Sequence, residues 1–184
     1  ALAFTLYGAE NDGRFVRRGA WGGPGMSTTA NANNTNVTAL LANSVLIKYA
    51  GNNPRMFKCP ADKSYDVGNN EPRIRSISMN QGIGGPDVNG VRSTDAEWQD
   101  WNYNGGALQR PSLLFQRYER EAHLSGKPGG GSTLFIFVDE HPGSINDDGF
   151  GVCIKTNRTA SGRLQDTPAN YHNNASAFSF ADGH

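Results

Sequence analysis

The sequence Leu-Phe-Ile-Phe-Val occupies residues 134–138 and is bounded by Gly131 and Asp139. Five consecutive apolar residues, rich in β-branched and aromatic side chains, are typical of a strand buried inside a sheet. Residues 75–80 alternate between polar and apolar side chains and predict a second strand. Residues 150–154 and 175–180 are two further strand candidates.

Helical patterns precede these strands in the chain. Residues 2–7 are mostly apolar and resemble the end of a helix. Residues 36–49 are the best helix candidate, because their apolar side chains recur at spacings of three and four. Helices first and strands later predict an α+β fold. At 184 residues, we expect one domain over 1–184.

Composition excludes several classes of protein. The 17 basic residues balance the 17 acidic ones, which argues against nucleic acid or an anionic membrane surface as a partner. Apolar residues make up only 36% of the chain and glycine is abundant, so we expect long ordered loops, with Trp21 anchoring the one over 19–36. The sequence contains no apolar run long enough to span a membrane.

Acidic residues follow the apolar strand and form a candidate calcium site. The candidate ligands are Asp139, Glu140, Asp147 and Asp148. Carboxylates that converge at a strand end and in the next loop can bind Ca²⁺, although the spacing is not that of an EF-hand. The alternative is a polar turn whose charge is neutralised by Arg73, Arg75 or another arginine, and the spacing alone favours that turn.

Three aromatic residues in a polar loop form a candidate ligand-binding surface. Trp98, Trp101 and Tyr103 could stack on the sugar rings of a polysaccharide. The alternative is that they fold inwards and anchor the loop, which is the commoner arrangement for large aromatic side chains.

The cysteines and histidines give weaker signals. Cys59 and Cys153 could form a disulfide or remain buried thiols, and nothing in the sequence places a histidine beside either. A strand over 175–180 would hold His172 and Asp182 far apart, so spacing alone makes them loop residues at the ends of that strand. A metal-dependent hydrolase using Asp139, Glu140, His141 and His172 ranks last, because it needs an open metal position and a cleft and the sequence shows neither. The hydrolase therefore ranks below a structural role and a binding role.

Several stretches, taken in order, resemble one family. His172, nine residues and then Asp182-Gly183 match the signature of the prepilin-type processing-associated H-X9-DG proteins. Residues 1–15 resemble the segment that ends the family's long N-terminal helix. Residues 57–62 and 75–80 resemble its central motifs, and residues 138–147 resemble its aspartate-rich turn.

This resemblance implies a pseudopilin-like subunit of a type II secretion or type IV pilus-like filament. The expected fold is pilin-like, with the rest of the N-terminal helix packed on a small antiparallel sheet. The expected partners are other pilin-like subunits or secretion machinery. The expected location is outside the cytoplasm, with the full-length protein anchored by a membrane helix that is absent from this sequence. Related pseudopilins bind calcium in a C-terminal loop, which is the precedent for the acidic site. A carbohydrate-binding module of pilin fold is the alternative function.

Overall fold

The structure is a computed structural model that describes residues 1–17, 19–84, 118–125, 130–153, 163–164 and 166–184, the pairs 152–153 and 163–164 by backbone alone. These residues contain two α-helices, α1 (Leu2–Glu10) and α2 (Val37–Asn43), which precede the strands that the structure describes. The strands are β1 (Ile77–Asn80), β2 (Phe135–Asp139), β3 (Gly149–Phe150), β4 (Val152–Cys153), β5 (Arg163–Leu164) and β6 (Phe178–Phe180). The mixed composition and the order of elements agree with the α+β prediction.

The second helix is shorter than the periodicity predicts. The side chain of Asn36 caps α2 by accepting a hydrogen bond from the Ala39 amide at 2.9 Å. The helix ends because Ser44 is extended and the Val45 amide donates to the Ala20 carbonyl at 2.8 Å instead of continuing the helical ladder. The rest of the predicted helix forms a separate 3-10 turn over Ile47–Ala50.

Strand β2 lies inside a four-stranded sheet with the order β3-β1-β2-β6. Both of its neighbours, β1 and β6, are antiparallel to it, whereas β3 runs parallel to β1. The sheet is therefore mixed, and the expectation of a purely antiparallel sheet was wrong. Because β1 and β6 flank β2 on both sides, the chain that leaves β2 cannot pair with β2 again, and β3 pairs instead with the outer edge of β1. Strands β4 and β5 form a separate antiparallel pair.

Aromatic side chains join α1 and the glycine-rich loop to the sheet. The ring of Phe4 in α1 lies 5.0 Å from that of Phe15 and 5.9 Å from that of Phe137 in β2. Trp21 is only 2% exposed, stacks on Phe57 and lies 4.8 Å from Phe137. The predicted role of Trp21 as the anchor of its loop is confirmed. Within the described residues, neither α-helix has the length and apolar character needed to cross a bilayer.

Two glycines with positive φ allow a matched test of how the loop packs on α2. A Cβ at Gly23 (φ +78°) would lie 2.8 Å from the Leu40 Cα, whereas a Cβ at Gly51 (φ +66°) would meet nothing within 4 Å. Gly51→Ala should cost about 1–2 kcal/mol of unfolding free energy through backbone strain alone. Gly23→Ala should cost at least about 1 kcal/mol more, because the backbone of Leu40 must move. Urea unfolding measures both, and equal costs would contradict the close contact between the loop and α2.

Candidate metal centre at the end of strand β2

Three segments that are distant in sequence bring a thiol, a carboxylate and an imidazole together. Cys59 Sγ lies 3.4 Å from His172 Nε2, and His172 Nε2 lies 3.2 Å from Asp139 Oδ2. One ligand atom from each residue lies within 4.8 Å of the other two. Cys59 and Asp139 are buried, at 6% and 5% exposure, whereas the side chain of His172 is 47% exposed. The cluster therefore has a buried floor and one side open to solvent.

The thiol is held by the loop that follows a 3-10 turn at Pro54–Phe57. The Cys59 amide donates to Ser76 Oγ at 2.8 Å, and the Ser76 amide donates to the Phe57 carbonyl at 3.1 Å. The Asp62 amide closes the loop by donating to the Cys59 carbonyl at 3.0 Å. These bonds fix the loop against the residues that lead into β1.

The carboxylate belongs to the last residue of β2. The Asp139 amide donates to the Ala177 carbonyl at 3.0 Å, and the Asp139 carbonyl accepts from the Ala169 amide at 2.7 Å. The hydroxyl of Ser176 donates to the same carbonyl at 2.9 Å. With its backbone bonded on both sides, Asp139 presents its side chain from a rigid position.

The imidazole is placed by a tight turn that leads to β6. The His172 amide donates to the Ala175 carbonyl at 3.2 Å, and the Ala175 amide donates back to the His172 carbonyl at 3.0 Å. Between them, Asn173 and Asn174 have φ values of 52° and 64°. Positive φ at both central residues defines a type I′ turn, and asparagine tolerates that conformation better than most residues. The pair Asn173-Asn174 was the signal in the sequence that this histidine begins a hairpin.

The site contains a further hydroxyl and a further carboxylate. The Tyr171 hydroxyl donates to the Glu140 carbonyl at 3.3 Å. Burial raises the pKa of Tyr171, and the nearby charges of Asp62, Asp139 and Cys59 raise it further. Asp62 is buried and pairs with Lys58 at 3.4 Å. The tyrosine is therefore a neutral hydrogen-bond donor at ordinary pH.

The contact geometry is unlike that of a nucleophilic triad. A Cys-His-Asp relay needs the thiol on one ring nitrogen and the carboxylate on the other. Here the thiol and the carboxylate both approach Nε2 of His172. Three different donor atoms that converge on one point can instead ligate a single metal ion.

The structure divides the four acidic residues predicted to bind calcium. Asp139 faces Cys59 and His172, whereas the charges of Glu140, Asp147 and Asp148 all act on the buried guanidinium of Arg75. Consecutive residues leave a strand on opposite faces, so Asp139 and Glu140 cannot share one small site. An arginine, Arg73 or Arg75 among others, was the alternative to calcium in the sequence analysis, and Arg75 lies among these three carboxyl groups.

Hydrogen bonds and burial define the surroundings of Arg75. It donates to the Asp147 carbonyl at 2.6 Å and the Ile77 carbonyl at 2.7 Å, while Asp148 Oδ2 accepts from the Gly19 amide at 2.8 Å. Burial lowers the pKa of Arg75, and the three acidic neighbours oppose that effect. Burial raises the pKa of Glu140 to about 8. A protonated Glu140 reduces the negative charge of this group at neutral pH.

The remaining predicted site residues have separate outcomes. His141 is exposed and accepts from the Gly143 amide at 3.0 Å, and the group of possible metal ligands that converges among the described residues contains Asp139 and His172 but not Glu140 or His141. Cys59 is a free thiol, so the disulfide with Cys153 is not formed in the structure, and the side chain of Cys153 lies outside the described residues. The aromatic candidates Trp98, Trp101 and Tyr103 also lie outside the described residues.

The pairing of His172 with Cys59 was missed by the sequence analysis. The two residues are 113 positions apart, and no local spacing reports such a contact. The prediction that His172 and Asp182 lie at separate ends of a strand agrees with the structure. Asp182 instead bonds His184 Nδ1 at 2.6 Å, beyond β6.

Arg75→Gln should destabilise the chain by about 3–5 kcal/mol, because it leaves buried carboxyl groups without their cation. Arg55→Gln is the matched control, since Arg55 is exposed and the change should cost no more than about 0.5 kcal/mol. Urea unfolding at neutral pH gives both values. Equal stability of the two variants would show that Arg75 does not neutralise this group.

Calcium provides a separate test of the same region. Because Arg75 already lies among three of the four candidate ligands, we expect thermal melts in EDTA and in millimolar CaCl₂ to superimpose. A calcium ion bound only by the folded state would raise the melting temperature with its concentration. A reproducible rise in the melting temperature with CaCl₂ but not with MgCl₂ would contradict this expectation and support the calcium site.

Comparison with known proteins gives no match. No protein-family model, no curated protein and no solved structure is similar to this chain. Its function must therefore be argued from its own residues.

Proposed function

We propose that this chain is the extracytoplasmic domain of a pseudopilin-like protein, a non-enzymatic structural subunit of a type II secretion or type IV pilus-like filament. The ordered set of motifs that resembles the H-X9-DG family supports the proposal. A second support is the architecture, in which α1 precedes the strands and packs on β2 through Phe4 and Phe137. The membrane anchor and the location outside the cytoplasm follow from the same resemblance.

The observation that carries the proposal is that α1 is apolar on both faces. Phe4 is 2% exposed on the inner face, whereas Leu2 is 72% exposed and Leu6 43% exposed on the outer face. A surface helix usually has polar residues on its outer face, and a helix that is apolar all round is usually buried on every side. A filament in which α1 contacts the helix of a neighbouring subunit would cover these leucines.

The surface next to the start of α1 also exposes apolar side chains. A cavity of about 360 Å³ lies there, and its lining includes Leu2, Met56 and Phe178. Met56 is 61% exposed and Phe178 is 43% exposed. Contiguous exposed apolar side chains mark interaction surfaces more often than isolated ones do. The proposed occupant is the apolar helix of an adjacent pilin-like subunit.

The H-X9-DG segment also fits a structural role. Its histidine begins the turn at residues 172–175, its residues 178–180 form β6, and its aspartate lies inside the turn that follows β6. Gly183 has a φ of 98°, and its amide bonds the Phe180 carbonyl at 3.0 Å. In this chain the motif therefore encodes a turn, an edge strand of the main sheet and a second turn.

Site-specific photocrosslinking in the native host tests the proposal. A photoreactive residue at Leu2 or Leu6 of the natural full-length protein should give a ladder of products at multiples of the subunit mass, because these positions would face a neighbouring subunit. The same residue at Asn43 or Lys63, which are exposed on other segments, serves as the control. The products are read by immunoblotting and mass spectrometry.

The ladder should contain this protein or pilin-like proteins encoded with it. The absence of a ladder from Leu2 and Leu6, when the protein is present at its normal level, would contradict a filament subunit. Equal ladders from Asn43 and Lys63 would show non-specific crowding and would also contradict the proposed packing of α1.

A further inference from the structure

We propose that Cys59, Asp139 and His172 form a binding site for one Zn²⁺ ion. The inference goes beyond the role of a filament subunit and does not depend on it. It rests on the convergence of three different ligand atoms, on their burial and on the rigidity of the segments that carry them.

The distances match the edges of a zinc tetrahedron. With bonds of about 2.3 Å to sulfur and about 2.0–2.1 Å to nitrogen and oxygen, tetrahedral zinc separates sulfur from nitrogen by about 3.6 Å and nitrogen from oxygen by about 3.4 Å. The observed separations are 3.4 Å from Cys59 Sγ to His172 Nε2 and 3.2 Å from His172 Nε2 to Asp139 Oδ2. These two separations are each about 0.2 Å shorter than the tetrahedral values, and the third pair, Cys59 Sγ and a carboxylate oxygen of Asp139, lies within 4.8 Å.

The ligand types select zinc over the calcium expected from the sequence. Calcium and magnesium prefer sites built only from oxygen, whereas a thiolate and an imidazole favour softer ions. Zinc accepts sulfur, nitrogen and oxygen in one tetrahedral site. A dication would also neutralise the two buried acids, Cys59 and Asp139, which otherwise repel each other when both are ionised.

The backbone around each ligand resembles the support that metal sites require. Cys59 is fixed by Ser76, Asp139 by backbone bonds on both sides, and His172 by the turn over 172–175. Such outer contacts orient ligands and strengthen metal binding. Since His172 is half-exposed, the fourth position of the tetrahedron faces solvent and would hold water.

The ion would add a direct link between the three ligands, beyond the hydrogen bonds that already hold their segments in place. It would tie the loop at Cys59 and the turn at His172 to the end of β2. Because the unfolded chain does not hold these residues together, zinc should stabilise the folded state in proportion to its occupancy. The expected consequence is a melting temperature that rises with free Zn²⁺.

Cobalt and zinc titrations of the 184-residue chain test the proposal. Co²⁺ should bind in a 1:1 ratio and give a thiolate-to-metal charge-transfer band, and Zn²⁺ should displace it while excess Ca²⁺ should not. Cys59→Ser should abolish the band, and His172→Gln should weaken Zn²⁺ binding by more than the ~10–100-fold that is typical of changing a residue that only supports a metal ligand. Circular dichroism establishes that each variant is folded.

Two control variants make the result specific. Cys153→Ser removes the other cysteine and should leave the band unchanged. His184→Gln removes the histidine of an exposed pair with Asp182, outside the proposed set of ligands, and it should also leave binding unchanged.

The wild-type result alone can overturn the proposal. Absence of the charge-transfer band in reduced, folded protein would exclude a Cys59 ligand, whatever the variants do. Loss of the band in Cys153→Ser, or zinc binding that is unchanged in both Cys59→Ser and His172→Gln, would place any metal elsewhere. Preferential 1:1 binding of Ca²⁺ would equally reject a zinc site.

Discussion

The alternation of side chains at the end of β2 is the constraint on which the rest of the structure depends. The strand is enclosed by β1 and β6, so its direction and its end are fixed. Asp139 leaves one face and meets His172, whereas Glu140 leaves towards Arg75. A single buried strand thus separates a cluster that can bind a metal from a cluster that is neutralised by an arginine. A shift of one residue in its register would exchange the two environments.

Local patterns in the sequence predicted β1, β2 and the first half of the second helix, but they did not predict the two short strands β3 and β4 within residues 149–153, the strand β5 or the pairing of the strands. The apolar run at residues 134–138 specifies β2 because burial dominates its conformation, and the apolar spacing near Leu40 specifies α2. The parallel pairing of β1 with β3 was not predictable, because it depends on which sheet edge remains free. The approach of His172 to Cys59 was not predictable either. It requires the turn over 172–175, the loop at Cys59 and the pairing of β2 with β6, which together join segments that are distant in sequence. The predicted helix does not continue beyond Asn43, because the Val45 amide donates to the Ala20 carbonyl instead of forming the next helical hydrogen bond.

The proposed role and the proposed metal site draw on different surfaces of the same molecule. The exposed leucines of α1 concern association with a neighbouring subunit, whereas the cluster at Cys59 concerns the connection of loops to the sheet. The family-like H-X9-DG segment links the two ideas, because its first residue is His172 and its strand β6 packs on β2. In a chain of low apolar content, a metal bound by that histidine would compensate for a modest core.

Anomalous diffraction from crystals grown with zinc tests the central claim most directly, namely that three distant segments converge on one ion. Data collected above and below the zinc edge should show one strong peak about 2.0–2.3 Å from Cys59 Sγ, His172 Nε2 and Asp139 Oδ2. A crystal structure in which the three ligand atoms are separated, or in which the strongest peak lies among other residues, would contradict the account.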